Sequence, residues 1–285
     1  MRVVLAILAI VLLANAVTGQ SPPATPTPNR QQQAIQTWQR FLVAYDSLDI
    51  STMSSLFADD AVGVISRFSC AKLDRQGIVD VLGNSTAANT AQAFFPGEVM
   101  VSGSAVLAIM QQTYVDGQNH IVNIPHKLVV VAVNEAGTQI NNYYELEPPG
   151  VVPVQANSSA MLDVLHRVVN ATEHLDAQAF GDELSDDLLY LGLPNGANPQ
   201  EPSLNKTGLV AQQAAFFATE SAQRIIKKPY AYATCDWVVY PLTSVSLLKE
   251  GGANLVQDVT IARIKTFSGK NLIYEWYNFF SVIVD

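Results

Sequence analysis

Charge and cysteine are both scarce in this chain. Only 14% of its 285 residues are Asp, Glu, Lys or Arg, and 16 Lys plus Arg stand against 25 Asp plus Glu. A net charge of −9 leaves neither the basic footprint of a nucleic-acid binder nor the basic patch that draws a protein to anionic lipid. The two cysteines, Cys70 and Cys235, belong to no Cys-x-x-Cys or Cys/His cluster, which argues against a structural zinc site. The four histidines (His120, His126, His166, His174) form no His-Glu-x-x-His pair. There is no Gly-x-Ser-x-Gly elbow and no phosphate-cradling glycine loop, so no metal or cofactor is expected. Beyond the N-terminus no apolar run is long enough to span a bilayer. With 49% apolar residues and so few charges, the chain is expected to form packed cores, not disorder.

The N-terminus does carry an apolar run. Arg2 precedes the unbroken stretch Val3 to Ala14, and Ala14-Asn15-Ala16 and Val17-Thr18-Gly19 offer small residues for cleavage. This is the pattern of a secretory signal over residues 1–19, with an uncleaved anchor as the alternative reading. Residues 20–30 hold four prolines within Ser21 to Pro28 and read as an extended leader. The expected product is extracellular, with no membrane attachment after cleavage. Sequons at Asn84, Asn157, Asn170 and Asn205 suit glycosylation in a eukaryotic secretory route.

The remaining ~255 residues suit two domains of ordinary size, and the body is a repeat. Leu48-Asp49 and Asp59-Asp60 recur as Leu175-Asp176 and Asp186-Asp187, displaced by 127 residues (48 to 175). Upstream, Ile35, Trp38, Phe41, Leu42, Tyr45 and Leu48 form an apolar stripe at helical spacing. Leu162, Leu165, Val168, Val169, Thr172 and Leu175 occupy the equivalent places. Leu73-x-x-x-Gly77-Ile78-Val79 matches Leu204-x-x-x-Gly208-Leu209-Val210 at 131 (73 to 204), and both segments are expected to begin helices. The four extra residues fall at Asn195 to Pro199. Leu128 to Val133 turns at Gly137 into Gln139 to Glu145; Val256 to Phe267 turns at Ser268-Gly269 into Asn271 to Val284, at a displacement of 132 (137 to 269). These are hairpins of an antiparallel sheet. Segregated helices and strands predict an α+β fold: two tandem cone-shaped domains over residues 31–148 and 158–285, joined by a linker at 149–157, each a curved antiparallel sheet wrapped around helices. Asp59, Asp60, Asp186 and Asp187 are read as turn residues ahead of the first strand, and Asp49 and Asp176 as helix caps.

Trp38-Gln39-Arg40-Phe41-Leu42-Val43-Ala44-Tyr45, Leu48-Asp49 and Leu56-Phe57-Ala58-Asp59-Asp60-Ala61-Val62 together resemble the nuclear transport factor two-like superfamily, which contains ketosteroid isomerases and polyketide cyclases. The resemblance runs through nearly all of both copies and implies a pocket inside each cone. Isomerase chemistry in that family needs a helix tyrosine, a carboxylate base on the first strand and a second acid on a later strand. The matching positions here are Phe41 and Val168, Ile65 and Gly192, and Val129 and Ile261. None can move a proton.

The leading expectation is therefore a secreted protein that binds a small apolar molecule. Phe41, Tyr45 and Ile65 are placed in the first pocket, and Val168, Trp237 and Trp276 in the second. An enzyme of the cyclase, dehydratase or isomerase type is the second reading. His126, which shares strand parity with His120, Leu128 and Val130, would be its base, with no other catalytic candidate. His166 and His174 are expected to face solvent. A structural or adhesion module is the third reading, with Trp38, Phe57, Phe94 and Phe95 filling the cones. The copies are expected to pack sheet to sheet as an intramolecular pseudo-dimer. Neither cysteine has a counterpart in the other copy, so the only intramolecular bridge is Cys70–Cys235, between domains; two buried thiols are the alternative.

Overall fold

The computed structural model describes residues 30–102, 104–148, 158–192, 204–228 and 230–283. The signal, most of the leader, the linker, the Asn157 sequon and the Asn195 to Pro199 turn lie outside the described residues.

The first copy opens with α1 (Arg30–Asp46) and α2 (Ile50–Leu56), followed by β1 (Phe57–Ile65), β2 (Ser69–Asp74) and α3 (Arg75–Ala88). Four strands follow: β3 (Asn89–Ser102), β4 (Ala105–Asp116), β5 (Ile121–Val133) and β6 (Ile140–Leu146). The second copy repeats the plan with α4 (Ser158–Glu173), α5 (Ala177–Gly181), β7 (Leu184–Gly192) and α6 (Lys206–Thr219). Its strands are β8 (Glu220–Lys227), β9 (Tyr232–Thr234), β10 (Trp237–Leu248), β11 (Ala253–Phe267) and β12 (Lys270–Ile283). The sheets run β2-β1-β6-β5-β4-β3 and β7-β12-β11-β10-β8, with β9 beside β10. In each, the first strand lies parallel to the last and the rest are antiparallel. The α+β tandem is thus present as expected.

Local chemistry repeats as well. Asp49 caps α2 by accepting from Thr52 N at 3.0 Å, and Asp176 caps α5 from Ala179 N at 2.9 Å. Asp74 and Asn205 cap α3 and α6 from Gly77 N and Gly208 N. Leu48 and Leu175, the residues before the first pair of caps, both adopt left-handed backbone, at φ 59° and 54°. That conformation is uncommon for a bulky residue. Its recurrence at one repeat position ties it to the sharp joint between paired helices. The Asp pairs depart from expectation. Asp59, Asp60, Asp186 and Asp187 are not turn residues but exposed positions already inside β1 and β7. There Asp59 faces Arg75 at 3.9 Å and Asp186 faces Lys206 at 3.0 Å, each tying a first strand to the following helix.

Three cores form. One fills the first cone, one lines the second, and the third lies between the two sheets. Val64, Leu107, Leu128, Val130 and Tyr144 contribute to this third core from the first sheet, and Tyr232, Trp237, Val239, Val259 and Ile261 from the second copy. Tyr232 Oη donates to Leu146 O at 2.8 Å, across the joint. Each sheet is therefore apolar on both faces. Cys70 on β2 and Cys235 form the expected bridge, with Cα atoms 5.4 Å apart. Cys235 sits in the turn between β9 and β10, not within a strand, at φ 59°.

Candidate functional site

The two cones share a fold and differ in contents. In the first, Trp38, Phe41 and Tyr45 descend one face of α1 and meet Phe57, Phe94 and Tyr143. Their ring centroids are 4.8 to 6.2 Å apart and all six residues are buried. Below them lies a buried polar cluster. Lys127 Nζ donates to Gln112 Oε1 at 2.6 Å, pairs with Glu145, and lies 3.3 Å from Glu147 Oε1. Tyr143 Oη donates to Glu145, and the ammonium sits 5.4 Å from the centre of the Phe94 ring. Burial alone would pull the ammonium's pKa down; the attraction of Glu145 and Glu147 overrides it and holds Lys127 above its ordinary range. Burial pushes Glu147 up, with Lys127 opposing. Phe41, Tyr45 and Ile65, expected to line a pocket, are packed core residues of this cone. Trp38, Phe57 and Phe94 fill it as the third reading expected, while Phe95 is exposed.

In the second copy the residues equivalent to Trp38, Phe41 and Tyr45 are Leu165, Val168 and Thr172. All three line a cavity of about 430 Å³. Shortening these side chains is what opens the space. Val169, Phe180, Leu209, Phe216 and Trp276 continue the apolar wall, and Gln223, Ser244, Ser246 and Asn254 make a polar stretch. Between them stands Asp258 on β11. Its Oδ1 has no hydrogen-bond partner, and neither has the Tyr240 hydroxyl. Burial pushes the Asp258 carboxyl up to about 7, partly opposed by a hydrogen bond from Asn278. Thr260 Oγ1 donates to Asn278 Oδ1 at 2.7 Å, which turns the Asn278 amide nitrogen towards Asp258.

Of the residues predicted for the second pocket, Val168 and Trp276 line the cavity. Trp237 does not. It lies on the opposite face of β10, wholly buried between the sheets, 5.4 Å from the Tyr144 ring. His126 is likewise not in a cone: it is exposed, adopts φ 55° at a register shift, and stacks on Tyr230 at 4.6 Å. Leu128 and Val130, whose parity it shares, face the other sheet. His166 and His174 are exposed as expected, the former edge-on to Tyr240. Asn84, Asn170 and Asn205 are exposed. Among the described residues no His, Cys, Asp or Glu group is arranged to hold a metal, and no helix is long and apolar enough to cross a membrane.

Asp258 and Asn278 escape a reading at a displacement of 132. In β5 and β11 the register equates Lys127 with Asp258 and Val129 with Thr260, a displacement of 131; in β6 and β12 it equates Glu145 with Asn278, a displacement of 133. Ile261, matched to Val129 from sequence, therefore faces the interdomain core, and Thr260 is the true counterpart. A one-residue slip moves every side chain to the other face.

No family model matches the chain, and no curated protein does. Among solved structures it is similar to a Δ5-3-ketosteroid isomerase from Mycobacterium sp., at 13% identity and a TM-score of 0.36, over 40% of this chain and 92% of that one. It is also similar to a Mycobacterium tuberculosis protein in complex with estradiol-17β-hemisuccinate (16% identity, TM-score 0.37, 42% and 96% covered). A third likeness is to an LEH-like epoxide hydrolase from M. tuberculosis (18% identity, TM-score 0.35, 40% and 82% covered). The chain's own geometry shows the fold that its sequence resembles: a curved antiparallel sheet around helices, built twice.

Proposed function

We propose that this is a secreted binding protein that holds a small, mostly apolar molecule in its second cone, while the first cone is a filled scaffold. One observation carries the reading: the same helix face is aromatic and packed in the first copy, and short-chained around a cavity of about 430 Å³ in the second. That volume and lining suit a small organic ligand fixed by a few polar groups. The test is to refill the cavity on the pattern of the first copy, with Leu165→Trp, Val168→Phe and Thr172→Tyr singly and together. Protein from its native source is then compared by native mass spectrometry. The wild type should carry a small apolar adduct and the refilled variants should lose it while staying folded. Clean apo masses throughout, with no tryptophan quenching against a lipid and steroid panel, would refute the reading.

A second reading, a proton-transfer enzyme, is favoured by Asp258, whose carboxyl sits near the operating range of a general base. Deuterium from solvent entering the α-positions of a bound ketone, and lost in Asp258→Asn, would establish it. Binding without exchange supports the first reading.

A further inference from the structure

The cavity's unsatisfied groups all point to one kind of partner. Asp258 Oδ1 and Gln223 Oε1 are acceptors sealed from solvent without a donor, and Tyr240 Oη, on a wholly buried side chain, is equally unpaired. Unpaired buried polar atoms cost free energy that a complementary ligand recovers. Among the described residues lining the cavity there is no Lys, Arg or His. Glu173 on α4, which faces Tyr240, is already paired with Arg224 at 3.8 Å, and Glu220, at the start of β8, is buried, which pushes its carboxyl up. Phe180, Tyr190, Phe216, Tyr240 and Trp276 supply aromatic walls. A carboxylate ringed by aromatic faces and lacking a counter-ion is complementary to an organic cation, by ion pairing and by cation–π attraction.

We propose that the second cone selects an amine, an alkyl or aryl ammonium whose N–H groups pair with Asp258 while its hydrocarbon part lies against Trp276 and Val168. This rests on the binding reading above and adds the ligand's charge to it. Asn278 acts as a positioning residue. Its oxygen is held by Thr260, so its amide nitrogen orients one side of the Asp258 carboxyl and leaves Oδ1 for the ligand. The first copy offers an internal parallel. At the position of Asp258 it carries Lys127, and at that of Asn278 it carries Glu145, so a cation–carboxylate pair already fills this level of the fold. In the second copy the carboxylate is built in and the cation is left to the ligand.

Binding to the ionised carboxylate also sets a pH dependence. Burial holds Asp258 near neutrality, so amine affinity should rise as pH goes from 6 to 8. The other titratable and charged groups around the site are Tyr190 on β7, Tyr240 on β10, Glu220 and Arg224 on β8, and Glu173 on α4, with the exposed His166 edge-on to Tyr240. Lys227 on β8 pairs with Leu242 in the register row that also holds Asp258.

Three probes of one shape separate the possibilities: phenethylamine, phenethyl alcohol and hydrocinnamate, titrated into the full secreted chain by calorimetry. At pH 7.5 the amine should bind at least about ten-fold tighter than the alcohol, and the carboxylate weakest. Asp258→Asn should equalise amine and alcohol. It should also abolish the rise with pH, which His166→Gln should keep. Asn278→Ala should weaken the amine alone, and Lys227→Met should leave the order unchanged. Alcohol or carboxylate binding as tightly as the amine would overturn the proposal, as would an amine preference that survives in Asp258→Asn or an order reversed by Lys227→Met. If none of the three binds but the neutral dye N-phenyl-naphthylamine does, the amine proposal fails and the pocket reading stands. If no probe binds at all, both fail.

Discussion

Replacing Lys127 by Met should destabilise the folded protein by about 3–5 kcal/mol, the range found when one partner of a buried ion pair is removed. The side chain is 1% exposed, and Met fills nearly the same space, so packing contributes little to the loss. What remains is electrostatic. Glu145 and Glu147 stay behind at 2% and 0% exposure, without their cation and close enough to repel. At least one must protonate for the core to close. For a domain pair of this size the melting temperature should fall by roughly 10 °C, at 2–4 °C per kcal/mol. The sign with pH is fixed. Carboxyls whose folded pKa lies above the unfolded value bind protons more tightly in the native state, so the variant's stability must recover as pH falls from 8 towards 5. Thermal unfolding followed by circular dichroism at several pH values measures this directly. A companion variant, Lys127→Met with Glu145→Gln and Glu147→Gln, removes the stranded charges and should regain most of the loss. It also keeps the test decisive if the single variant fails to fold. A single variant within about 1 kcal/mol of wild type at pH 7, or a deficit that grows at pH 5, would refute the reasoning.

Reducing the Cys70–Cys235 bridge, or replacing both cysteines by Ser, should cost up to about 5 kcal/mol, because the bridge closes a loop of 165 residues. Urea unfolding with and without reductant measures it, and an unchanged midpoint would remove the staple's stabilising role. The ligand-free protein should lose about 2–3 kcal/mol between pH 5 and 8, because the Asp258 carboxyl, ordinarily near 3.8, is raised to about 7 and its proton is held in the native state. Asp258→Asn should flatten this slope and be the more stable protein at pH 8, and a slope unchanged in the variant would count against it. Tyr240→Phe removes a hydroxyl with no partner and should be neutral or stabilising by about 1 kcal/mol in thermal melts of the ligand-free protein.

The legible part of this protein was its periodicity. The helical stripe from Ile35 to Leu48, its copy from Leu162 to Leu175, the caps at Asp49 and Asp176, and the two hairpins were all written in spacing and turn residues. They recur in the structure, except that the helices end at Asp46 and Glu173, so Leu48 and Leu175 close each stripe from the left-handed joint beyond the helix. The Cys70–Cys235 bridge was legible as the one intramolecular pairing open to the chain, with two buried thiols as the alternative, and the structure decides for the bridge. What was not legible is which face of each strand looks into the cone. Alternation normally reveals it, since one face is apolar and the other wet. Here β5 reads Leu128, Val129, Val130 and Val131 without a break, because one face lines the cone and the other packs on the second sheet. That ambiguity turned His126 inward on paper and outward in the structure, and placed Trp237 in a pocket it does not line. In β11 a signal was available: Asp258, Thr260, Ala262 and Ile264 alternate with Gln257, Val259, Ile261 and Arg263. The slip from a displacement of 132 to 131 hid it.

The divergence of the copies follows from what a cone must do with its polar floor. In both, the last strands bring a polar pair to the same level: Lys127 with Glu145 in one, Asp258 with Asn278 in the other. An ion pair is neutralised within itself and can be buried only if the space above it is closed, since water would otherwise compete for both ends. The aromatic face of Trp38, Phe41 and Tyr45 closes that space, and Gln112 and Tyr143 add further hydrogen bonds. A carboxyl beside an amide is different. It cannot neutralise itself, so it either keeps a proton or awaits a partner, and a filled cone would deny it one. Leu165, Val168 and Thr172 leave the room that such a partner needs. The helix and the strand are thus matched within each copy: aromatics where the polar pair is complete, short side chains where it is not. Exchanging the two faces tests the match. With Trp, Phe and Tyr placed at 165, 168 and 172, Asp258 should be driven further above neutrality by added burial, and NMR titration of its carboxyl would follow the shift. A carboxyl that titrates unchanged beneath the refilled helix would show that the two features are independent.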